Sequence, residues 1–507
     1  MLRLALGSVA YSEKRARRED KMRSFKQLEN DYARTLVTLE QCGTRGAGVL
    51  ALKGPETRLT LTTPEMLREG CHPNGWFDLR LKSSKGEGIF LHNALFLTQT
   101  MPNKRHPEYE DTIYPNMVAF GTESFTANGE VQAISFTTEK LADFFNYEVV
   151  EWQSLHQVPA DALKALKQIR TYEKKYPREY EFFNPTNIYL VHELPPVLTF
   201  RVEDRTYEVF VGAASRLHWN AAQVSVHPVA TIRFEKPIKI SDGLDHVWEW
   251  RRFFTQLAME RLPFNGISLG SGHSMKTVPA DLYLPGFKEE SPRKNRPFAF
   301  YPGVAPFTSW GERDSLARLM KGWLEKQPQR QRFRTNLDHV VCAMQDSVDL
   351  DHILTLAAGL ESLDEFDQAI YSKADIEVLA RGASAAAKEA GVDVAIERIT
   401  GVLGLLRKQN LRRRLEALWT ATAALVPHHD GREFVRSVYG LRNGAAHPSS
   451  NAFASSRQLS PVIQAFASLC AVWDLMSSGL DITQTSGRIN PLLILSNALA
   501  EIDHAHK

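Results

Sequence analysis

From about residue 30 to residue 300, apolar positions recur at every second residue. Arg58-Leu59-Thr60-Leu61-Thr62 and Phe77-Asp78-Leu79-Arg80-Leu81-Lys82 alternate in the way of strands with one buried face. Leu198–Glu203 and Thr206–Val211 alternate on either side of Asp204-Arg205 and predict a hairpin. Val224–Ile240 continues the pattern, with Pro237 marking an edge or a strand end. Two helices interrupt the strands. Residues 160–176 are amphipathic and basic, and residues 244–260 follow Ser241 and Asp242, either of which can act as a cap. The second helix carries Trp248, Trp250, Phe253 and Phe254, which are expected to pack on the sheet. The expected fold is an antiparallel sandwich or a curved sheet with helical insertions.

Near residue 312 the period changes to 3.6 and stays there. Leu316, Leu319, Met320 and Trp323 mark a helix broken at Pro328, and Phe333, Leu337, Val340 and Met344 continue the pattern. Ile353, Leu356, Ala357, Leu360, Leu363 and Phe366 define another helix, and one long helix is expected over about 394–425. Asp430 and Glu433 form a capping-box pattern ahead of the stripe Phe434, Val435, Val438 and Leu441, while Gly444 and Pro448 mark its end. Ser460-Pro461 is expected to open the next helix. The fold class is therefore α+β and multidomain. A disordered leader over 1–29 and a β-rich domain over 30–305 precede an all-helical bundle over 312–507.

Bulk properties narrow the picture only slightly. Sixty-one basic residues against 59 acidic ones, a formal charge of +2, confine any basic footprint to a local patch. Cys42, Cys71, Cys342 and Cys470 are scattered without a CxxC, which fits a reducing cytoplasm and offers no zinc site. The opening apolar run has no convincing cleavage site, and translation from Met22 is an alternative start. No apolar stretch reaches the ~20 residues of a membrane span. A cytoplasmic protein without a membrane partner, metal or cofactor is the expectation.

The candidate chemistry lies in Leu441-Arg442-Asn443-Gly444-Ala445-Ala446-His447-Pro448. This segment resembles the motif of the HEPN superfamily, an Arg, four to six residues and a His, often with a polar residue such as Asn443 after the Arg. Spacing alone is weak, because Arg334 and His339 repeat it without the Asn, the small residues or the Pro. Context favours Arg442 and His447, which close a capped helix about 80 residues after Ala358-Gly359-Leu360-Glu361-Ser362-Leu363. In HEPN domains an early helix with an acidic position of this kind, here Glu361, precedes the motif helix. A β-rich region, a Trp-containing helix and such a bundle, in that order, are similar to ApeA-type anti-phage proteins.

That resemblance implies a metal-independent endoribonuclease cutting RNA, with Arg442, His447 and Asn443 at its centre. It also implies a sensing or regulatory N-terminal domain answering a phage-derived trigger, and a homodimer through the HEPN domain. The chemistry fits these residue types. RNA carries its own nucleophile, a histidine exchanges protons near neutral pH, and an arginine fork suits phosphate oxygens. Arg412, Arg413, Arg414 and Arg436 are candidate RNA contacts within a basic stretch over 398–442. Plainer readings stand beside these: a helix-terminal His capping carbonyls, a snorkelling Arg, a structural Glu361 and a solvated arginine face. One rival function is a non-catalytic ligand-binding and dimerisation protein. Another is a HEPN ribonuclease of general RNA processing or stress toxicity. Gly270-Ser271-Gly272-His273 is read as a glycine-rich turn, since it lacks the Lys and Ser/Thr of a phosphate loop.

Overall fold

The computed structural model describes residues 22–41, 44–64, 76–101, 108–121, 129–138, 141, 150–155, 186–191, 196–218, 221–270, 280–287, 313–366, 373–392, 396–404, 410–446, 456–481 and 489–505. The basic segment 160–176, the turn at 271–273 and His447 lie outside the described residues.

A short helix, α1 (Phe25–Asp31), comes first, with Ser24 and Gln27 forming a reciprocal capping box. It buries Phe25 and Leu28, and Arg23 just before it donates to Asp281 at 2.5 Å. Residues 22–29, part of the segment read as a leader, thus belong to the folded domain. Its strands are β1 (Thr35–Gln41), β2 (Thr44–Ala51), β3 (Arg58–Thr63), β4 (Trp76–Ser83), β5 (Gly88–Thr100), β6 (Tyr109–Gly121) and β7 (Glu130–Thr138). After β8 (Val150–Leu155) and β9 (Thr186–Val191) come β10 (Leu198–Val202), β11 (Arg205–His218) and β12 (Ala221–Lys239). Helix α2 (Ile240–Ala258) and strands β13 (Phe264–Gly270) and β14 (Ala280–Tyr283) complete the domain.

The pairing is antiparallel throughout. The sheet order is β10-β11-β12-β7-β13-β14-β6-β3-β2-β1-β4-β5, and β5 also pairs with β6. Strands β1 to β6 therefore close into a six-stranded barrel from which the rest of the sheet extends, while β8 and β9 pair on their own. Of the two expected forms, sandwich or curved sheet, the structure takes the curved sheet and closes part of it into a barrel. The alternation was correctly placed (β4 buries every second residue), but closure depends on β1–β4 and β3–β6 pairings between non-consecutive strands, which periodicity does not encode. The expected β10–β11 hairpin forms, but its turn is Glu203-Asp204 and not Asp204-Arg205: Val202 faces Arg205, and Glu203 takes the positive φ of 52°. Pro237 lies two residues before the end of β12, in its irregular stretch between Arg233 and Ile238, so it marks a strand end with a bulge beside β7 and not a sheet edge.

Helix α2 starts at Ile240 after Lys239, so Ser241 and Asp242 belong to its first turn and neither is its cap. Trp250, Phe253 and Phe254 are buried as expected. Trp250 meets Phe136 and Tyr207 edge-on at 5.5 and 5.2 Å.

The helical region comprises α3 (Arg313–Glu325), α4 (Gln327–Ala343), α5 (Leu350–Glu361), α6 (Lys373–Glu389), α7 (Ile396–Gly404), α8 (Leu411–Thr422), α9 (Gly431–Ala446), α10 (Ser456–Ser477) and α11 (Asn490–Ala505). Pro328 opens α4, where its missing N–H costs nothing. The long helix expected over 394–425 is instead α7 and α8. Asn410 caps α8 by accepting from the Arg413 N–H at 3.0 Å, and so ends any continuous helix there. Helix α10 begins at Ser456 and carries Pro461 inside it, starting earlier than Ser460-Pro461 implied. Its stretch Leu459–Ser477 has the length and apolarity of a membrane span, yet 78% of that window is buried within the protein, where it packs against α4, α5, α8, α9 and α11.

The two regions share one contiguous core. On α2, Arg251 pairs with Asp338 at 2.9 Å and Gln256 donates to Asp474 at 3.0 Å, while Phe253 meets Trp323 edge-on at 5.6 Å. Beyond its end, Arg261 donates to the Cys342 carbonyl at 3.0 Å, and from α11 Asn490 reaches the Ala258 carbonyl at 3.3 Å.

Candidate functional site

Two arginine-bearing centres compete for attention in the bundle, and they could hardly differ more in their surroundings. The first surrounds Asp474, which is fully buried on α10. Its carboxylate accepts from five N–H groups: Arg330 at 2.6 Å, Arg334 twice at 2.8 and 2.9 Å, Gln256 at 3.0 Å and the Trp323 indole at 2.9 Å. Arg334 also donates to the Trp323 carbonyl at 2.7 Å and lies 3.8 Å from the centre of the Trp323 ring. Burial alone would push the Asp474 carboxyl up, but the guanidiniums of Arg334 and Arg330 outweigh it and hold it below its ordinary value. Arg334 is 1% exposed, whereas His339 faces solvent on the other side of α4. That is the ~140° separation a five-residue step gives on a helix. Arg334 is structural because its donors are spent on Asp474 and the Trp323 carbonyl, while His339 makes no part of that network.

The second centre lies where α9 packs on α5. Asp430 accepts from the Arg432 N–H at 2.8 Å and starts α9 as expected, while Glu433 meets Arg436 at 2.8 Å. Phe434, Val435, Val438 and Leu441 are buried, which fixes the rotation of the helix. Arg442 follows on the border of that stripe. Its side chain is 35% exposed, its closest carboxylate oxygen, on Glu361, is 4.0 Å away, and the Asn443 amide oxygen is at 3.5 Å, the outer limit of a hydrogen bond. Arg442, Asn443 and Glu361, singled out far apart in the sequence, thus meet at one place. Helix α9 is described through Ala446, and His447 is the next residue along the chain. Loose and half-exposed, the Arg442 guanidinium retains donors for an incoming anion, whereas those of Arg334 are committed.

The arginine cluster divides. Arg414 is 1% exposed and points inward, where it donates to the Leu360 and Leu363 carbonyls at 3.1 and 2.8 Å. Its expected place among surface RNA contacts is corrected: it satisfies carbonyls at the end of α5, on either side of Glu361. Periodicity held this signal, because Leu411, Arg414, Leu415 and Leu418 share one face of α8. Arg412, Arg413 and Arg436 are exposed. Arg412 pairs with the exposed Glu416 at 3.1 Å and Arg436 with the partly buried Glu433; surface helix pairs of this kind contribute about 0.3–0.5 kcal/mol each.

Between α8 and α9 lies a groove of about 660 Å³ that the sequence did not suggest. It forms because Gly431 sits flush against Trp419: a Cβ built there would come within 2.2 Å of the indole nitrogen. On its buried side Trp419 stacks with Phe434, ring centres 5.7 Å apart. Among the described residues no group of three or more His, Cys, Asp and Glu has a metal-holding arrangement.

A closed antiparallel barrel, its sheet carried onto a helix that is itself built into a helical bundle, defines a protein with a β-rich N-terminal domain coupled to a helical C-terminal region. The family model for ApeA N-terminal domain 1 matches residues 43–323, more than half of the 507 residues, and the chain belongs to that family. Membership supports a role in anti-phage defence. The match runs through most of α3, past the expected boundary near 305, in keeping with the packing of α3 on β10. No curated protein and no solved structure matches the chain.

Proposed function

We propose that this protein is an anti-phage endoribonuclease whose helical region is a HEPN domain, with Arg442 and His447 as its catalytic pair and the ApeA domain as its regulator. The observation that carries this reading is the state of Arg442: half-exposed, loosely held by Glu361 and Asn443, and about one turn from the end of α9, after which His447 follows in the chain. In the reaction the His447 imidazole takes the proton from a ribose 2′-hydroxyl. The oxygen attacks the adjacent phosphorus, and Arg442 stabilises the dianionic phosphorane. The bond to the 5′-oxygen then breaks, and that oxygen takes up a proton. The products are a 2′,3′-cyclic phosphate and a 5′-hydroxyl, and none of these steps calls for a metal or cofactor. Glu361 positions Arg442, and Asn443 orients it. Two subunits pairing through the ends of their α9 helices would supply one histidine to accept a proton and another to donate one, hence a homodimer.

The test is infection of cells expressing wild type, Arg442→Ala or His447→Ala at matched levels with a panel of phages, with RNA 3′ ends mapped. Protection and new cyclic-phosphate ends with wild type only are the expected result. Mutants that fold and still protect would overturn the assignment.

A further inference from the structure

We infer that the groove between α8 and α9 is a nucleotide subsite that holds single-stranded RNA beside Arg442, an inference that rests on the ribonuclease reading above. The walls suit one class of ligand. Trp419 and Tyr439 are half-buried aromatic rings lining the groove, and Arg412, Arg432 and Arg436 stand around it. Flat aromatic faces interleaved with guanidiniums are what successive bases and phosphates of a single strand require. The volume of about 660 Å³ falls in the range of clefts that enclose a small ligand, about 300–1,000 Å³.

Position supports the same occupant. Val435, Tyr439 and Arg442 are spaced i, i+4, i+7 and share one face of α9. The groove therefore runs along that face toward Arg442, with Tyr439 about 4.5 Å from it in helical rise. A base against Tyr439 puts its neighbouring phosphate within reach of Arg442, while Trp419, beside Gly431 at the start of α9, takes a base further along the strand. Arg432 has its backbone N–H engaged by Asp430, while its exposed guanidinium meets no carboxylate among the described residues. Among the described residues Arg412 and Arg436 pair with acids on their own helices, the exposed Glu416 and the partly buried Glu433, pairs that a phosphate can displace.

The experiment is a titration of full-length protein carrying His447→Ala with a fluorescein-labelled 12-nucleotide single-stranded RNA at several salt concentrations. Tyr439→Ala and Trp419→Leu should each weaken binding about tenfold or more, the usual effect of losing a base-stacking ring. Arg432→Gln should flatten the slope of log affinity against log salt by about 0.7, the share of one phosphate contact on a single strand. Tyr439→Ala keeps the question answerable if Trp419→Leu fails to fold. In the cleaving protein, Tyr439→Ala should raise KM and leave kcat within a few-fold. Folded variants with unchanged affinity and salt slope overturn the subsite, as does a wild-type chain that binds no RNA. Groove-dependent binding by a chain that never cleaves RNA would keep the subsite and remove the nuclease reading. Cleavage that needs Arg442 but ignores Tyr439 and Arg432 would do the reverse.

Discussion

Arg334 with His339 and Arg442 with His447 have the same spacing, and the molecule treats them in opposite ways. Arg334 is sealed inside α4, shares the Asp474 carboxylate with Arg330, and is separated from His339 by the body of its helix. Arg442 lies near the end of α9, with no carboxylate oxygen closer than 4.0 Å among the described residues. A guanidinium whose donors are already satisfied in a dry site holds the fold together. One with donors to spare at a half-exposed site can exchange partners. The difference lies in commitment, and a motif search cannot see it.

Substitutions can break this comparison. Arg334→Ala leaves Asp474 buried with too few donors and should cost about 3–5 kcal/mol, read as a large drop in thermal midpoint. His339→Ala, on the exposed side of the same helix, should stay within about 0.5 kcal/mol. Arg442→Ala should reverse the pattern, with a near-normal melt and RNA cleavage reduced at least ~100-fold, the scale of losing one donor to a developing oxyanion. Equal melting losses for Arg334→Ala and Arg442→Ala would erase the distinction.

A second substitution probes how the Arg442 site is held. Arg414→Met strips the donor from the Leu360 and Leu363 carbonyls and should cost about 1–3 kcal/mol. Cleavage should fall with it if the end of α5 positions Glu361 against Arg442.

Acid sharpens the contrast further. The Asp474 carboxyl is depressed in the folded protein, so its contribution to stability is complete above the ordinary carboxylate pKa of about 3.9 and fades as pH falls below it. The stability gap between wild type and Asp474→Asn should therefore be flat from pH 8 to 5 and narrow below about pH 4 in denaturant titrations. The smallest effect belongs to Arg412→Ala, which removes one exposed pair on α8 and should shift stability by less than about 0.5 kcal/mol.

What could be read from the chain before folding was whatever its local periods encode. The alternation in β3 and β4, the existence of the β10–β11 hairpin (its turn one residue off), the start of α9 at Asp430 and the inward face of α2 all follow from residues close together in sequence. Barrel closure did not, because its deciding pairings join strands separated by other strands. The division of the expected long helix at Asn410 was missed because Leu405 and Leu415 kept the apolar period going across a cap. At the candidate site, Arg442, Asn443 and Glu361 were legible as a motif and a helix end, and the structure brought them to one place. Arg414 was misassigned because three arginines in a row look like a patch, although their helical angles send the third inward. The groove against Trp419 was not legible, since it depends on Gly431 from the neighbouring helix.

Helix α2 is anchored at both faces: Trp250 is wedged beneath the sheet against Phe136 and Tyr207, and Gln256 supplies one of the donors to Asp474. A rod clamped in this way cannot tilt at one end alone. Any displacement that a bound signal imposes on the strands above Trp250 must either be dissipated before it reaches the rod or arrive intact at the arginines of α4. The same geometry forbids a clean excision. A fragment beginning at residue 313 would lose Gln256 from the Asp474 carboxylate and Phe253 from the face of Trp323, leaving wetted a seam the intact chain keeps dry. Scanning calorimetry on the full chain should accordingly record a single endotherm for barrel and bundle together, with two appearing only once that rod is cut loose by substitution at Gln256 and Arg251.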